Sequence, residues 1–209
     1  SLEMLTGRPA TAFTENTAAI PQRTFVFWQP PTILDTDTRR GVLDESARLL
    51  ARIVPNGDQA VAFVRSRHGV EYVAKETKEL LVQDFEPADL EHMVRAYRGG
   101  YLAHERRELE QDLRSGEIRA MAATNALELG IDITGLDIVI TAGWPGTKAS
   151  LWQQVGRAGR SGQEALAIFI AREDPLDAYV LHHPETFFDS EVEVAISNPS
   201  NEYVLAPHL

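Results

Sequence analysis

Apolar residues along this chain follow two alternating patterns, short continuous runs and longer stretches with helical spacing. The segment 59–64 is an almost continuous apolar run, which is typical of a strand covered on both faces. In 44–53 the apolar residues recur at helical spacing, and Pro55-Asn56-Gly57 then closes the helix. The same patterns predict strands at 24–28, 59–64, 92–97, 118–123, 136–142 and 164–171, and helices at 44–53, 70–82, 103–113, 151–157 and 175–182.

Strand and helix segments alternate throughout residues 24–183. Repeated strand–helix units form a parallel sheet with helices on both faces, so we predict an α/β fold of RecA-like architecture for this part of the chain. Residues 1–23, which contain glycine and prolines, are predicted to be a linker or the tail of a preceding domain. Residues 184–209 are predicted to form an acidic C-terminal extension.

Length and composition fit one domain with extensions. The chain has 209 residues, of which 44% are hydrophobic, enough to build a packed core. No apolar run approaches the roughly 20 residues that span a bilayer, and no basic and apolar secretory leader is present. Cysteine is absent, which excludes a disulfide scaffold and a thiolate metal site. These features predict a cytoplasmic protein that has no membrane contact.

The charge is unevenly distributed. A formal net charge of −11 disfavours nucleic-acid binding at first sight, because phosphate attracts basic surfaces. From residue 172 onward, however, one arginine stands against eight acidic residues, whereas residues 95–160 contain nine basic and eight acidic residues. The acidity therefore lies mainly in the C-terminal tail, and we expect the chain alone to bind nucleic acid weakly.

The segment Gln153-Gln154-Val155-Gly156-Arg157-Ala158-Gly159-Arg160 contains two arginines three residues apart. Ser150 precedes Gln153 at capping-box spacing, which predicts a helix from residue 151 with Arg157 and Arg160 on one side. Two glycines in a helix cost roughly 0.5–1 kcal/mol each. One explanation is close approach to another surface, with guanidinium groups aimed at phosphate. The other is a helix end closed by glycines, with arginines at the negative end of its dipole.

A second segment, residues 123–133, precedes the arginines and contains Thr124, Gly130 and Asp132. Together the two segments resemble motifs V and VI of superfamily 2 helicases, which are RecA-fold, ATP-driven nucleic-acid motors. The resemblance implies that Arg157 and Arg160 are arginine fingers that stabilise charge on the transferring γ-phosphoryl group.

The same resemblance assigns three residues to nucleotide binding. Gln153 is implied to position the nucleotide phosphates or the neighbouring arginine. Asp132, which follows Gly130, is implied to lie near the nucleotide, where a carboxylate can accept a hydrogen bond from a ribose hydroxyl.

Polar loops follow three of the predicted strands, at the sheet edge where open α/β folds bind ligands. Arginine side chains, amides beside glycines, and the hydroxyl and amide of a threonine can all hold phosphate. By the resemblance, the loop after 59–64 is motif IV. Solvated arginines and a turn that needs positive φ are the alternatives. The predicted nucleic-acid contacts are Arg65, Ser66, Arg98, Gly99, Gly100 and Thr124.

Further segments extend the resemblance over nearly the whole chain. They are Leu5-Thr6-Gly7, Gln29-Pro30-Pro31, Phe63-Val64-Arg65-Ser66-Arg67, Asp177-Ala178-Tyr179, His183-Pro184, Asn198-Pro199 and His208-Leu209. With them the chain is similar to the bacterial YprA-like helicases, a RecQ-related branch of superfamily 2. This similarity implies DNA as the nucleic acid, 3′ to 5′ polarity and a role in DNA repair.

Half of an ATPase site is missing from the sequence. No Gly-x-x-x-x-Gly-Lys-[Ser/Thr] loop occurs, because the segment 143–148 has another spacing and its lysine is followed by Ala149. No Asp-Glu-x-His or Asp-Glu-Ala-Asp segment is present to hold Mg²⁺. We therefore expect no metal ligand in this chain. ATP with Mg²⁺ would be bound mainly by an N-terminal RecA-like domain outside the chain, and the chain alone would be inactive.

Two other functions fit an α/β chain. A dinucleotide-binding enzyme needs Gly-x-Gly-x-x-Gly between a strand and a helix, whereas Gly156, Gly159 and Gly162 follow a predicted helix at another spacing. A nucleotide-independent protein-interaction module is compatible with the acidic tail. It predicts that removing both arginines leaves the activity of the parent protein intact.

Overall fold

The computed structural model describes residues 22–85, 89–99, 101–124, 135–159 and 163–189, with isolated residues near both termini. The described strands are β1 (Arg23–Trp28), β2 (Ala60–Phe63), β3 (Val94–Tyr97), β4 (Ala120–Ala123), β5 (Ile138–Ala142) and β6 (Ala165–Ile170). The described α-helices are α1 (Val42–Ile53), α2 (Arg67–Asp84), α3 (Ala103–Ser115), α4 (Lys148–Val155), α5 (Pro175–His182) and α6 (Glu185–Asp189).

The six strands form one parallel sheet in the order β1-β6-β5-β2-β4-β3. Residues of β2 show how the sheet is covered. Ala60 and Ala62 pack in a core with α1 and α2, whereas Val61 and Phe63 pack in a second core with α3. All four are at most 2% exposed, as the apolar run predicts. The predicted α/β fold, a RecA-like parallel sheet with helices on both faces, is confirmed.

Helix α4 differs from its prediction at both ends. It begins at Lys148 because Thr147, not Ser150, is its N-cap, and the Thr147 hydroxyl accepts a hydrogen bond from the Ser150 amide at 3.0 Å. It ends at Val155, so Arg157 lies in the turn beyond the helix. The prediction that Arg157 projects from this helix is therefore wrong. Arg160 lies outside the described residues.

The C-terminal helices pack on the same sheet. Helix α5 begins at Pro175, as predicted, after the N-cap Asp174. Helix α6 lies within 184–209 and inserts Phe187, which is 2% exposed, beside Phe25 and Phe27 of β1. Along the described residues, no helix combines the length and apolar character needed to cross a membrane.

Candidate functional site

The loops after β2, β4 and β3 leave the sheet at the same level. Phe63 and Tyr97 are both register partners of Ala123, the last residue of β4 between them. Neighbouring strands lie about 4.8 Å apart, so the three loops occupy roughly 10 Å of one edge. This carboxyl edge brings together the described members of the predicted nucleic-acid set: Arg65, Ser66, Arg98, Gly99 and Thr124.

Arg65 and Ser66 connect β2 to α2, and both are exposed. Ser66 is the N-cap of α2, where its hydroxyl oxygen accepts a hydrogen bond from the Gly69 amide at 2.9 Å. The hydroxyl therefore fixes the first turn of the helix and keeps its proton for another acceptor.

Arg98 lies at the end of β3 and forms an ion pair with Glu71 of α2, with 3.0 Å between Nε and Oε1. Both side chains are about half exposed, at 50% and 53%, so water screens the pair and a competing anion can reach the guanidinium. Arg98 and Gly99 help to line a polar pocket of about 410 Å³, together with Arg67, Tyr101 and Glu105. Gly100 lies outside the described residues.

Two side chains of this pocket, Tyr101 and Glu105, are held in place by hydrogen bonds. The Tyr101 hydroxyl donates to the carbonyl of Ala96 at 2.9 Å, and its ring stacks on Tyr97 with 5.4 Å between centroids. Burial raises the pKa of Tyr101, so the phenol stays neutral. A Glu105 carboxylate oxygen accepts from the Leu102 amide at the start of α3. The pocket thus has a fixed wall, two arginines and one carboxylate, Glu105, which accepts a hydrogen bond from the Leu102 amide. Its two guanidinium groups are of the kind that binds phosphate.

Thr124 is half-buried and follows β4 directly. Its amide donates to the carbonyl of Tyr97 at 3.3 Å, which continues the sheet by one residue. The amide is thus engaged with β3, and the contact of Thr124 with a phosphate stays a prediction. Gly130 and Asp132, predicted to contact the nucleotide, lie outside the described residues.

Arg157 lies at the opposite edge of the sheet. Its carbonyl accepts from the amides of Gly135 and Leu136, both at 3.1 Å, and Ala158 forms a parallel bridge with Leu136. Leu136 precedes the first residue of β5, so the arginine loop lies at the amino edge. It is roughly 20 Å from the level of Thr124 along the strand direction.

Residues 156–159 form the arginine loop. A hydrogen bond from β1 and the conformation of a glycine hold this loop in place. Arg23 of β1 donates from Nε to the carbonyl of Ala158 at 2.8 Å, and burial lowers the pKa of Arg23. Gly159 has φ +88°, a left-handed conformation that favours glycine, and its amide donates to Leu136 at 2.8 Å. The Arg157 side chain is half-buried. Gln153 is exposed on α4.

A buried carboxylate, Asp177, links the loops that follow β5 and β6 at the carboxyl edge. Asp177 is fully buried, accepts from the amides of Trp144 and Arg172, and forms an ion pair with the Arg172 guanidinium at 3.0 Å. This hydrogen bond raises the pKa of Arg172. Sequence reasoning did not assign Asp177 this role, because its partners lie on two other loops.

The same reasoning also missed Arg67 as a pocket residue and the cavity beside it. That cavity, about 510 Å³, lies between α1, α2 and the ends of β1 and β6. Its ring-bearing side chains, His68 and Tyr72, are four residues apart on α2 and therefore share a face. The sequence signal for this cavity was the spacing of the two rings, four residues apart and directly after the arginines that follow β2.

The family model and the relatives that match this chain all belong to helicases. The family of helicase conserved C-terminal domains matches residues 45–162. The uncharacterized ATP-dependent helicase YprA of Bacillus subtilis (strain 168) is 41% identical over 99% of this chain and 27% of its own length. ATP-dependent helicase HRQ1 of Saccharomyces cerevisiae is 37% identical over 78% of this chain and 15% of its own length.

Among solved structures, the helicase MrfA bound to DNA and AMPPNP superposes with a TM-score of 0.87 and 41% identity. The match covers 99% of this chain and 28% of MrfA. The chain thus spans about a quarter of the length of YprA and MrfA.

Proposed function

This chain belongs to the family of helicase conserved C-terminal domains, and we propose that it is the second motor domain of an ATP-dependent DNA helicase. In this role it supplies strand contacts and arginine fingers to an ATPase site shared with an N-terminal RecA-like domain of the same protein. ATP with Mg²⁺ is bound mainly by that other domain. Relatives described as ATP-dependent helicases, and the MrfA structure with DNA and AMPPNP, support the proposal.

The observation that carries the proposal is the common level of three loops at the carboxyl edge. Three adjacent strands end side by side, and the residues that follow them are Arg65 and Ser66 after β2, Thr124 after β4, and Arg98 after β3. A row of cationic and hydroxyl groups across roughly 10 Å is long enough to contact more than one phosphate of a strand. Contacts of this kind position a strand without reading its sequence.

Arg98 and Arg67 supply the positive charge of the pocket, and the ion pair with Glu71 sets the direction of the Arg98 side chain. Phosphate competes with Glu71 for the same guanidinium, so binding of DNA exchanges one exposed ion pair for another. We propose that Glu71 keeps Arg98 extended over the pocket when no strand is bound.

The roles at the amino edge follow from the resemblance of residues 153–160 to the arginine motif. We propose that Arg157 and Arg160 stabilise charge on the transferring phosphoryl group, and that Gln153 positions the phosphates with Gly130 and Asp132 near the ribose. The anchored carbonyl of Arg157 supports this role, since a finger must be held before the transition state forms.

The strand contact is tested by binding of fluorescein-labelled single-stranded DNA to this chain over a series of salt concentrations. Arg98→Ala should weaken binding to all sequences alike and lower the slope of log K against log salt by about one unit. Arg52→Ala is the matched control, because Arg52 is an exposed arginine in the last turn of α1. Equal slopes for Arg98→Ala and the wild type would refute the contact.

The shared ATPase site is tested separately. The purified chain should not hydrolyse ATP, with or without DNA, whereas the full-length protein should. ATPase activity that co-purifies with the chain through successive purification steps would refute the proposal that the ATPase site of the chain is incomplete.

A further inference from the structure

The apolar cavity of about 510 Å³ lies beside the polar pocket, and the first turns of α2 separate the two. Arg67 lines the polar pocket, and the next residue, His68, lines the cavity. A strand whose phosphates lie along the polar loops therefore passes the mouth of a space large enough for a small organic group.

The floor of this cavity is apolar. It is formed by Pro30 after β1, Ala171 after β6, and Val42 and Leu43 at the start of α1. Pro30 and Ala171 are buried, whereas the Tyr72 ring at the rim is 38% exposed. A planar apolar group could therefore rest on the floor with one face against Tyr72.

The three arginines that line the cavity are all engaged within the protein. Arg39 donates to the carbonyl of Pro30 at 3.0 Å, Arg40 forms a 2.7 Å ion pair with the buried Glu45, and Arg172 pairs with Asp177. Carboxylates thus compensate the charges of Arg40 and Arg172, and the acidic Asp44 and Glu173, which also line the space, offset the charge of Arg39. This balance favours an uncharged occupant over a phosphate.

Tyr72 is held in place for such an occupant. Its hydroxyl donates to a carboxylate oxygen of Asp44, and that hydrogen bond raises the pKa of Tyr72 to about 12. The ring therefore stays neutral at working pH and is anchored between α2 and α1. Aromatic rings presented in this way stack on nucleic-acid bases of any sequence.

We propose that the cavity receives one unstacked base of the DNA strand that the polar loops hold by its phosphates. The inference rests on the proposed function, since it requires that strand to lie along the carboxyl edge. It adds a base-binding site with Tyr72 as the stacking residue. His68, one helical turn before Tyr72 on the same face, lies beside the entering base.

The test compares the affinity of this chain for an oligothymidylate strand with its affinity for a strand of equal length made of abasic residues. Phosphate contacts are the same in both, so the ratio isolates the contribution of the bases. In the wild type the abasic strand should bind about fivefold more weakly or worse. Tyr72→Ala should bring the two affinities close together, whereas Tyr72→Phe, which keeps the ring, should preserve most of the difference.

Tyr179→Ala is the matched control, because Tyr179 is 51% exposed on α5 and does not line the cavity. Thermal unfolding of each variant checks that it is folded. An unchanged ratio in folded Tyr72→Ala would overturn the base site. Competition by free thymidine monophosphate as strong as that by the strand would also overturn it, in favour of a free nucleotide.

The outcomes separate the two proposals. If both strands bind equally and Arg98→Ala weakens both, the base site fails and the strand contact stands. If neither strand binds at low salt, the strand contact fails, and the base site fails with it.

Discussion

The two edges of the sheet hold their polar residues in different ways. At the carboxyl edge, loops leave three adjacent strands at one level, and side chains form ion pairs there, an exposed one between Arg98 and Glu71 and a buried one between Asp177 and Arg172. At the amino edge, Arg157 is placed through its backbone, by hydrogen bonds to Gly135 and Leu136.

We propose that this difference separates strand binding, which this chain performs alone, from ATP hydrolysis, which needs a partner domain. The carboxyl edge has its cations, hydroxyls and pocket within this chain, and we propose that these groups alone bind a strand, though weakly. The amino edge positions a guanidinium on a firm backbone but offers no phosphate-binding loop in this sequence. We propose that hydrolysis by the full-length protein requires a second domain that faces the arginine loop.

The largest effect is expected at the arginine loop. In the full-length protein, Arg157→Ala or Arg160→Ala should lower DNA-stimulated kcat for ATP by about 10³-fold or more, with little change in KM. Lysine should not restore turnover, because it lacks the planar fork of arginine. Near-normal turnover of a lysine variant, measured by steady-state ATPase kinetics, would show that the arginines are structural.

The contributions of the two edges to the free energy of unfolding are compared by replacing one carboxylate at each edge. Asp177→Ala removes the buried acceptor of the Trp144 amide and of Arg172, which keeps the more exposed Asp174 as an ion-pair partner, and should lower the free energy of unfolding by about 3 kcal/mol. Asp137→Ala removes a single hydrogen bond from the Gln59 amide at the amino edge, and should cost about 1 kcal/mol. Urea unfolding measures both, and a larger loss for Asp137→Ala would reverse the comparison.

A smaller effect is expected at Gly159. Alanine at φ +88° should cost about 1 kcal/mol and shift the arginine loop. We therefore expect Gly159→Ala to reduce ATPase activity of the full-length protein while nucleotide-free DNA binding stays normal. Gly116→Ala, also at positive φ but at the end of α3, is the control for stability alone. Equal ATPase losses in the two variants would argue against a specific role for the loop.

The strands were the most predictable part of the fold. Apolar runs such as 59–64 locate them because a buried strand in a parallel sheet needs apolar residues on both faces. Helix α4 was less predictable, since Thr147 and Ser150 are both acceptable caps and only the fold selects Thr147.

Site geometry was only partly accessible from sequence. The rule that ligands bind at strand ends correctly grouped Arg65, Arg98 and Thr124 at one edge. The position of Arg157 depends on the bridge between Ala158 and Leu136, which joins residues that share no local pattern. The hydrogen bond of the Thr124 amide to β3 was not predictable for a related reason, because its partner is set by sheet register.

The proposal that the carboxyl edge, and not the amino edge, binds the strand is tested most directly by the salt dependence of nucleotide-free DNA binding. The wild-type chain, Arg98→Ala and Arg157→Ala are compared over the same salt range. We expect the slope of log K against log salt to fall by about one unit in Arg98→Ala and to be unchanged in Arg157→Ala. An equal fall in Arg157→Ala, or none in Arg98→Ala, would contradict the assignment of strand binding to the carboxyl edge.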